Sequence, residues 1–495
     1  MSATTLPSGN ATGTLVSPSV DPTGIPDLRM LVSPAALTDF RRGCVAALAS
    51  ISTLSRSEIE PFHDRYSALL ARFRQMDADR FSALFEWPSM IAWSRELFPA
   101  VQRYVAGGEP AAARQCEDLI RFGECFAIAS ALDGEGDVTF NPPLPLALPF
   151  HLPGTAWVVD GDGFGEGEIV VARASAAGLH LQDGRVLTPG DGLAEADRLM
   201  LGNGRNLMLS PAALITPWAS MPFAIPALGL QWNYQHQHLG LMAETLDIIA
   251  RHAAVDFRIM GETMRVAALK PLVPGRALNA SYNEFPGACV LAVVHNPFEM
   301  ASYLIHEMYH TLLGAVEARG ALLPANQLVE ESEIRCYSPW RMDMRPPRGL
   351  LHALVVSEPV SDFWFDVLES DPGDPILAAY ARDQVVRGVV QRSTGLASFL
   401  RVATPTDRGR QLCEALAVGV GRDVQRACDL KLHADIPSLE VWPDGAIRPE
   451  SLLRDAPELT VHESLFNHAS KYDAGDWAVR WMAARPWMFR GFRRP

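Results

Sequence analysis

The pattern of apolar residues changes twice along the chain, and this change restricts the fold more than any other feature. From about 34 to 132, apolar residues recur every three or four positions, which predicts helices. Between about 135 and 225, short apolar runs broken by Gly and Pro, such as GLHLQDGRVLT, predict strands and hairpins. FRIMGETMRVAALKPL and ACVLAVV are further predicted strands, and helical periodicity returns after 297. The sequence therefore predicts an α+β protein, mainly helical, with a β-rich central region.

Length and periodicity together divide the chain. At 495 residues, two or three domains are expected rather than a single core. Residues 1–30 are rich in Ser, Thr, Pro and Gly, which predicts a disordered tail. We predict a helical N-terminal region over 31–134, a β-rich region over 135–230 and, over 231–495, a helical, zincin-like domain that carries an H-E-x-x-H motif.

Charge and segment composition exclude several functions. The formal net charge of −14 argues against a nucleic-acid groove, because phosphate binding needs a basic face. The N-terminus lacks the basic and apolar regions of a secretory signal, and no run approaches the roughly 20 apolar residues of a membrane span. The seven cysteines show no C-x-x-C spacing, which favours a reducing cytoplasm.

One predicted helix carries residue types that bind metals. Asn296 is a good N-cap and is followed by Pro297, so a helix is expected to begin there. His306, Glu307 and His310 form the pattern H-E-x-x-H within it. Histidines four residues apart on a helix lie on one face, where two neutral imidazole nitrogens can bind one divalent cation. We therefore predict a metal site here rather than a pair of surface or core histidines.

A histidine pair needs a third protein ligand, and two candidates follow in the sequence. One is the acidic cluster VEESE, in which Glu331 is the preferred residue. The other is His352 in RGLLHALVV. Each has a simpler explanation, because VEESE could be a solvated helix face and a histidine among leucines is often a core residue. The residues themselves leave both ligands open.

Three arginines lie between these two candidates. Arg341, Arg345 and Arg348 belong to the proline-bracketed segment SPWRMDMRPPRG, which predicts a stiff loop leading into a helix. A guanidinium held in this way suits a carboxylate, which it binds through two parallel hydrogen bonds. The alternative is that these arginines pair with the acidic cluster.

Four segments in this part of the chain, taken in order, resemble one protein family. They are LIHEMYH at 304–310, YSPWRMDMRP at 337–346, GLLHALVV at 349–356 and DFW at 362–364. Their order and spacing are similar to those of the HExxH-motif peptide-modification proteins of bacterial ribosomal-peptide pathways, described as 2-oxoglutarate-dependent peptide β-hydroxylases. The resemblance covers about 280–370 of this chain.

The resemblance implies a cofactor, a co-substrate and a substrate. The metal would be Fe(II), the co-substrate 2-oxoglutarate, and the substrate a ribosomally synthesised precursor peptide that is hydroxylated at a β-carbon in the cytoplasm. The implied roles are Fe(II) ligation by His306, His310 and His352, 2-oxoglutarate binding by Arg341 or Arg345, and a catalytic, ligand-orienting role for Glu307.

Two other functions use the same residues. In a zinc peptidase, His306, His310 and Glu331 would bind zinc and Glu307 would be the general base. In a non-catalytic partner of a modification complex, an extended peptide would add to a strand edge, for which ACVLAVV is the candidate. The arginine segment favours the hydroxylase, since such peptidases do not require it. The sequence makes no prediction of oligomeric state.

Overall fold

The computed structural model describes most of the chain up to residue 432. The described residues are 26–76, 78–134, 136–147, 150–152, 155–159, 168–209, 232–271, 279–329, 332–341, 343–370 and 372–432. Helices predominate among them and are accompanied by sheets, so the predicted α+β, mainly helical class is confirmed. None of the helices in these ranges has the length and apolar composition that a membrane span requires.

The described part of the chain before residue 135 is helical. Its helices are α1 (Leu28–Leu31), α2 (Pro34–Ile51), α3 (His63–Gln75), α4 (Ala78–Leu84), α5 (Pro88–Gly107), α6 (Pro110–Glu124) and α7 (Phe126–Leu132). Proline occupies the first turn of α2, α5 and α6, where its missing N–H costs no hydrogen bond. Gly108, with a φ of 63°, ends α5 in the left-handed conformation that glycine adopts readily.

The region that follows forms a curled, half-barrel sheet. Its strands are β1 (Val138–Ala147), β2 (Phe150–His151), β3 (Trp157–Val159), β4 (Glu168–Ser175), β5 (Gly178–Leu181), β6 (Val186–Pro189) and β7 (Gly192–Glu195), in the order β1-β4-β5-β6-β7-β3-β2. Apolar side chains of this sheet share one core with α2 to α7, in which Trp93 is fully buried. The sheet and the N-terminal helices therefore pack as layers around one core.

A second sheet lies beside the H-E-x-x-H helix. Its strands are β8 (Asp197–Met200), β9 (Asn206–Leu209), β10 (Val266–Lys270), β11 (Ala280–Ser281) and β12 (Ala288–Ala292), in the order β11-β12-β10-β9-β8. Strand β12 is parallel to β10 on one side and antiparallel to β11 on the other. The prediction that ACVLAVV provides a free edge is therefore wrong. All five residues of β12 are buried, as expected of an interior strand, and the edge on this side of the sheet is β11.

The remaining described elements are mostly helices. They are α8 (Trp232–Gln237), α9 (Leu239–His252), α10 (Ala254–Thr263), α11 (Pro297–Ala318), α12 (Pro347–Glu369), α13 (Pro375–Val402) and α14 (Asp407–Asp429), with a hairpin of β13 (Cys336–Ser338) and β14 (Asp343–Arg345). FRIMGET lies in α10, so only the second half of that predicted strand is correct. Helix α12 continues through Pro359 and packs between α11 and α13.

Candidate metal centre

Helix α11 begins as its sequence predicts. The side-chain oxygen of Asn296 accepts hydrogen bonds from the N–H groups of Phe298 and Glu299, at 3.0 and 3.3 Å. Leu304 and Met308 are fully buried and fix one side of the helix against the core. Because this packing sets the rotation of α11, His306 and His310 occupy the opposite, less buried side.

Three histidines from two helices lie together, and we call them the histidine cluster: His306, His310 and His352. The ring centroids of His306 and His310 are 4.8 Å apart, as expected for one helix face. The ring of His352, on α12, stacks on that of His310 with 5.5 Å between centroids and 28° between planes. The Nδ1 atoms of His310 and His352 are 3.3 Å apart. The structure thus places all three sequence-predicted histidines side by side.

The environment keeps two of these imidazoles neutral. Burial, and then the positive charge of Arg341, lowers the pKa of His306 to about 4. Burial, and then the neighbouring His306 and His352, lowers the pKa of His310 well below its usual value. Neutral imidazoles keep the nitrogen lone pairs that a metal ion requires, so both side chains are suited to ligation at neutral pH.

A carboxylate and a guanidinium lie behind His352. Oε1 of Glu317 is 3.2 Å from Nε2 of His352, within ion-pair distance although not aligned as a hydrogen bond. Arg348 donates two hydrogen bonds to Glu317, at 3.1 and 2.8 Å. Burial would raise the pKa of Glu317, but His352 and Arg348 lower it to about 2. A carboxylate here favours the proton on Nε2 of His352, which leaves the Nδ1 lone pair free to face His310.

Sequence reasoning missed Glu317, although a signal was present. It follows His310 by seven residues, or two helical turns, and so lies on the same face of α11. Arg348, which we expected on a loop, is in the first turn of α12.

The histidine cluster meets part of the requirement for a metal site. Two nitrogens bound to one tetrahedral ion at about 2.05 Å would be separated by about 3.3 Å, the spacing of the two Nδ1 atoms. Over the described ranges, however, no group of three or more His, Cys, Asp or Glu residues converges as metal ligands. The ring of His306 is nearly perpendicular to that of His310, with 73° between planes. The donor types and one nitrogen pair therefore fit a metal, and the third ring is close but not aligned.

Glu307 lies against the edge of the second sheet. Only 3% of its surface is exposed, and it is hydrogen-bonded to Ser281 of β11 and lies near Lys270 of β10. Burial raises the pKa of Glu307 to about 7, despite the opposing effects of Ser281 and Lys270. Its Oε2 atom has no hydrogen-bond partner among the described residues. The predicted catalytic residue thus lies between α11 and the edge strand.

Glu307→Gln is expected to change the pH dependence of stability. The folded-state pKa is raised from 4.5 to about 7, so the contribution of Glu307 is present below pH 4.5 and is lost as the pH rises through 7. The free energy of unfolding of Glu307→Gln, relative to that of the unsubstituted chain, should therefore rise by about 2–3 kcal/mol between pH 5 and pH 8. Urea unfolding of both proteins at both pH values measures this; an equal difference at the two pH values would show that Glu307 does not titrate as described.

The two predicted 2-oxoglutarate anchors differ in their surroundings. Arg341 lies in the turn between β13 and β14, and its charge acts on His306. Arg345, on β14, donates a 3.0 Å hydrogen bond to Asp343. Arg341 is therefore the better candidate for a carboxylate beside the cluster. Glu331, the alternative third ligand, lies outside the described residues.

Comparison with models of known protein families finds no match, and no curated protein is significantly similar to the chain. The resemblance of residues 304–364 to peptide hydroxylases therefore stays a prediction. Function is therefore inferred from the residues of the cluster and their surroundings.

Proposed function

We propose that this chain is an Fe(II)- and 2-oxoglutarate-dependent hydroxylase of a ribosomally synthesised peptide. The observation that carries the proposal is the meeting of His310 and His352, which are 42 residues apart in the sequence and have Nδ1 atoms 3.3 Å apart. A zincin-like fold of the C-terminal domain and a cytoplasmic location are parts of the same proposal. The resemblance of the arginine segment to the peptide hydroxylases supports the choice of co-substrate.

The chain's own residues would prepare the cluster for a metal. With its Nε2 proton held toward Glu317, His352 presents Nδ1 as an acceptor, and His310 donates its Nδ1 proton across the 3.3 Å gap. With the His310 proton moved to its own Nε2 atom, His310 and His352 would hold a divalent cation through their Nδ1 atoms, with His306 as the third ligand. Fe(II) held there would supply the redox chemistry that converts 2-oxoglutarate, O2 and a peptide C–H group to succinate, CO2 and a hydroxylated peptide.

Arg341 and Glu307 have different roles in this proposal. The guanidinium of Arg341 would bind the distal carboxylate of 2-oxoglutarate, because its charge is already felt at His306. Glu307, held by Ser281 next to the edge strand, would orient groups around the cluster from the second-sheet side. Strand β11 replaces β12 as the edge to which an extended peptide would add.

One observation favours a second candidate, a zinc peptidase. A buried carboxylate with a pKa near 7 has the property of a general base, and Glu307 has both features. In that case the histidines would hold zinc, which would supply an activated water, and Glu307 would accept a proton from that water.

The proposal is tested by anaerobic purification of the full chain, addition of Fe(II), and measurement of succinate released from 2-oxoglutarate on exposure to O2. We expect succinate release that depends on Fe(II) and falls strongly in Arg341→Ala. This release is expected even when no peptide is hydroxylated. Lack of succinate, together with zinc-dependent cleavage of an unfolded protein, would reject the hydroxylase and support the peptidase.

Glu317→Gln is expected to weaken metal binding by about 10–100-fold, the usual effect of removing a carboxylate that orients a ligand histidine. The amide would no longer favour the Nε2 proton of His352 or neutralise Arg348. Competition between the protein and a chromophoric chelator for Co(II) measures the affinity. Glu369→Gln, at the end of α12 and paired with Arg426, is the matched control and should leave it unchanged. Equal metal affinities of Glu317→Gln and Glu369→Gln would show that Glu317 does not support the metal site.

A further inference from the structure

The short helix α1 belongs to the same core as the helix that carries His306 and His310. Leu28 of α1 and Val32, just after it, are buried together with Leu304 of α11. Helices α3 to α7 contribute instead to the core beneath the first sheet. Helix α1 is therefore placed to act on the C-terminal helices.

Arg29 of α1 binds one carboxylate from each of two other helices. Its Nε and Nη2 atoms donate to Asp256 of α10, at 3.1 and 2.9 Å. Its Nη1 atom donates to Asp362 of α12, at 2.8 Å. Burial would lower the pKa of Arg29, but Asp256 and then Asp362 raise it well above its usual value, so the guanidinium stays charged. A planar guanidinium suits this task, because its N–H groups point toward two acceptors at once.

Asp256 connects Arg29 to α11. The hydroxyl of Tyr309 donates a 2.7 Å hydrogen bond to the Oδ1 atom of Asp256, which also accepts from Nε of Arg29. Tyr309 is fully buried and directly precedes His310 in the sequence. Arg29 therefore joins the turn of α11 that carries His310 to α12, which carries His352.

This connection is separate from the contact between the two histidines. Asp362 follows His352 by ten residues, which places it about 15 Å further along α12. Two helices that touch at one point can pivot about it, and a second connection at a distance from the first prevents the pivot. Buried ion pairs add little net stability, because their charges must be desolvated, so a role in fixing geometry is the better explanation of this one.

We propose that Arg29 is a positioning residue for the histidine cluster, which holds α11 and α12 at the angle that brings His310 to His352. The metal affinity of the cluster would then depend on a side chain whose own partners are Asp256 and Asp362. The consequence for metal affinity rests on the proposed function, whereas the positioning of the two rings does not.

Arg29→Met is expected to weaken Co(II) binding about tenfold, the lower end of the usual effect of removing a group that orients metal ligands. Competition between the full chain and a chromophoric chelator measures the affinity. Arg65→Met is the matched control and should bind normally. Arg65 pairs with Glu124 between α3 and α6, and its side chain is 22% exposed, against 20% for Arg29. Arg29→Lys should keep part of the affinity, because lysine retains the charge but not the planar fork.

Neither carboxylate is left without a partner when Arg29 is replaced. Arg422 donates to Asp362 at 3.2 Å, and Tyr309 still donates to Asp256. Arg29→Met is therefore expected to fold, so a change at the cluster reports on position rather than on unfolding. Tyr309→Phe removes only the hydroxyl of this connection and repeats both measurements if Arg29→Met does not fold.

A second measurement needs no metal. In the metal-free chain, the proton between the Nδ1 atoms of His310 and His352 should give a downfield imidazole resonance in the NMR spectrum, identified by its loss in His352→Gln. We expect this resonance to shift or broaden in Arg29→Met and in Tyr309→Phe. It should stay unchanged in Arg65→Met, because a loss of stability elsewhere does not move the two rings of the folded chain.

Normal metal affinity or an unaltered resonance in Arg29→Met would overturn the proposal, as would equal changes in Arg65→Met. Failure of the proposed function has a different signature. A resonance altered in Arg29→Met alone, with no metal bound by the unsubstituted chain, would keep Arg29 as a positioning residue and reject the metal site. Unchanged metal binding and succinate release in Arg29→Met would keep the hydroxylase and reject this inference.

Discussion

His310→Ala is expected to reduce Fe(II)-dependent succinate release by more than about a hundredfold, beyond the usual effect of losing an outer partner of a metal ligand. His310 is the central member of the histidine cluster, with His306 at 4.8 Å between ring centroids and His352 at 3.3 Å between Nδ1 atoms. Without the His310 ring, the rings of His306 and His352 no longer share a common neighbour. The rate of succinate release at saturating Fe(II) measures the loss.

His236→Ala is the matched control. The His236 side chain is 75% exposed and is paired with Asp197, so its loss should leave both fold and turnover intact. A His310→Ala protein with the turnover of His236→Ala would mean that the cluster is not where the chemistry occurs.

Arg392→Met is expected to destabilise the protein by about 3–5 kcal/mol, because it removes the buried counter-charge that Glu358 and Asp423 share. Arg392 is fully buried on α13. It donates a 2.9 Å hydrogen bond to Glu358 of α12 and a further one to Asp423 of α14. Burial raises the pKa of Glu358 to about 7 even beside this arginine. Since α12 also carries His352, this network helps to fix the cluster.

Urea unfolding measures the loss, with Arg410→Met as the control. Arg410 forms an exposed ion pair with Asp407, and such pairs contribute less than about 1 kcal/mol. Neutralising the partners, in the triple variant that adds Glu358→Gln and Asp423→Asn, should recover part of the stability. If Arg392→Met were no less stable than Arg410→Met, the buried network would not hold α12.

The features that sequence predicted well are local. The start of α11 depends on Asn296 and Pro297, and the shared face of His306 and His310 depends only on helical periodicity. Both can be read from adjacent residues. The approach of His352 to His310 depends instead on how α12 packs against α11, and only the resemblance of the motif segments anticipated it.

The features that sequence missed depend on tertiary contacts. ACVLAVV has the same apolar composition whether it is an edge or an interior strand, and its two partners, β10 and β11, decide between them. FRIMGET has β-branched and apolar residues that suit a strand, but in α10 its Ile259 and Met260 pack into the core. The role of Glu317 follows from contacts with His352 and Arg348, more than 30 residues away in sequence.

We propose that the three histidines of the cluster hold one metal ion. Equilibrium dialysis of the metal-free chain against Fe(II) under argon, followed by metal analysis, tests it most directly. We predict one ion per chain, lost when the pair formed by His310 and His352 is removed. Metal content no higher than that of a triple variant with alanine at His306, His310 and His352 would contradict the account.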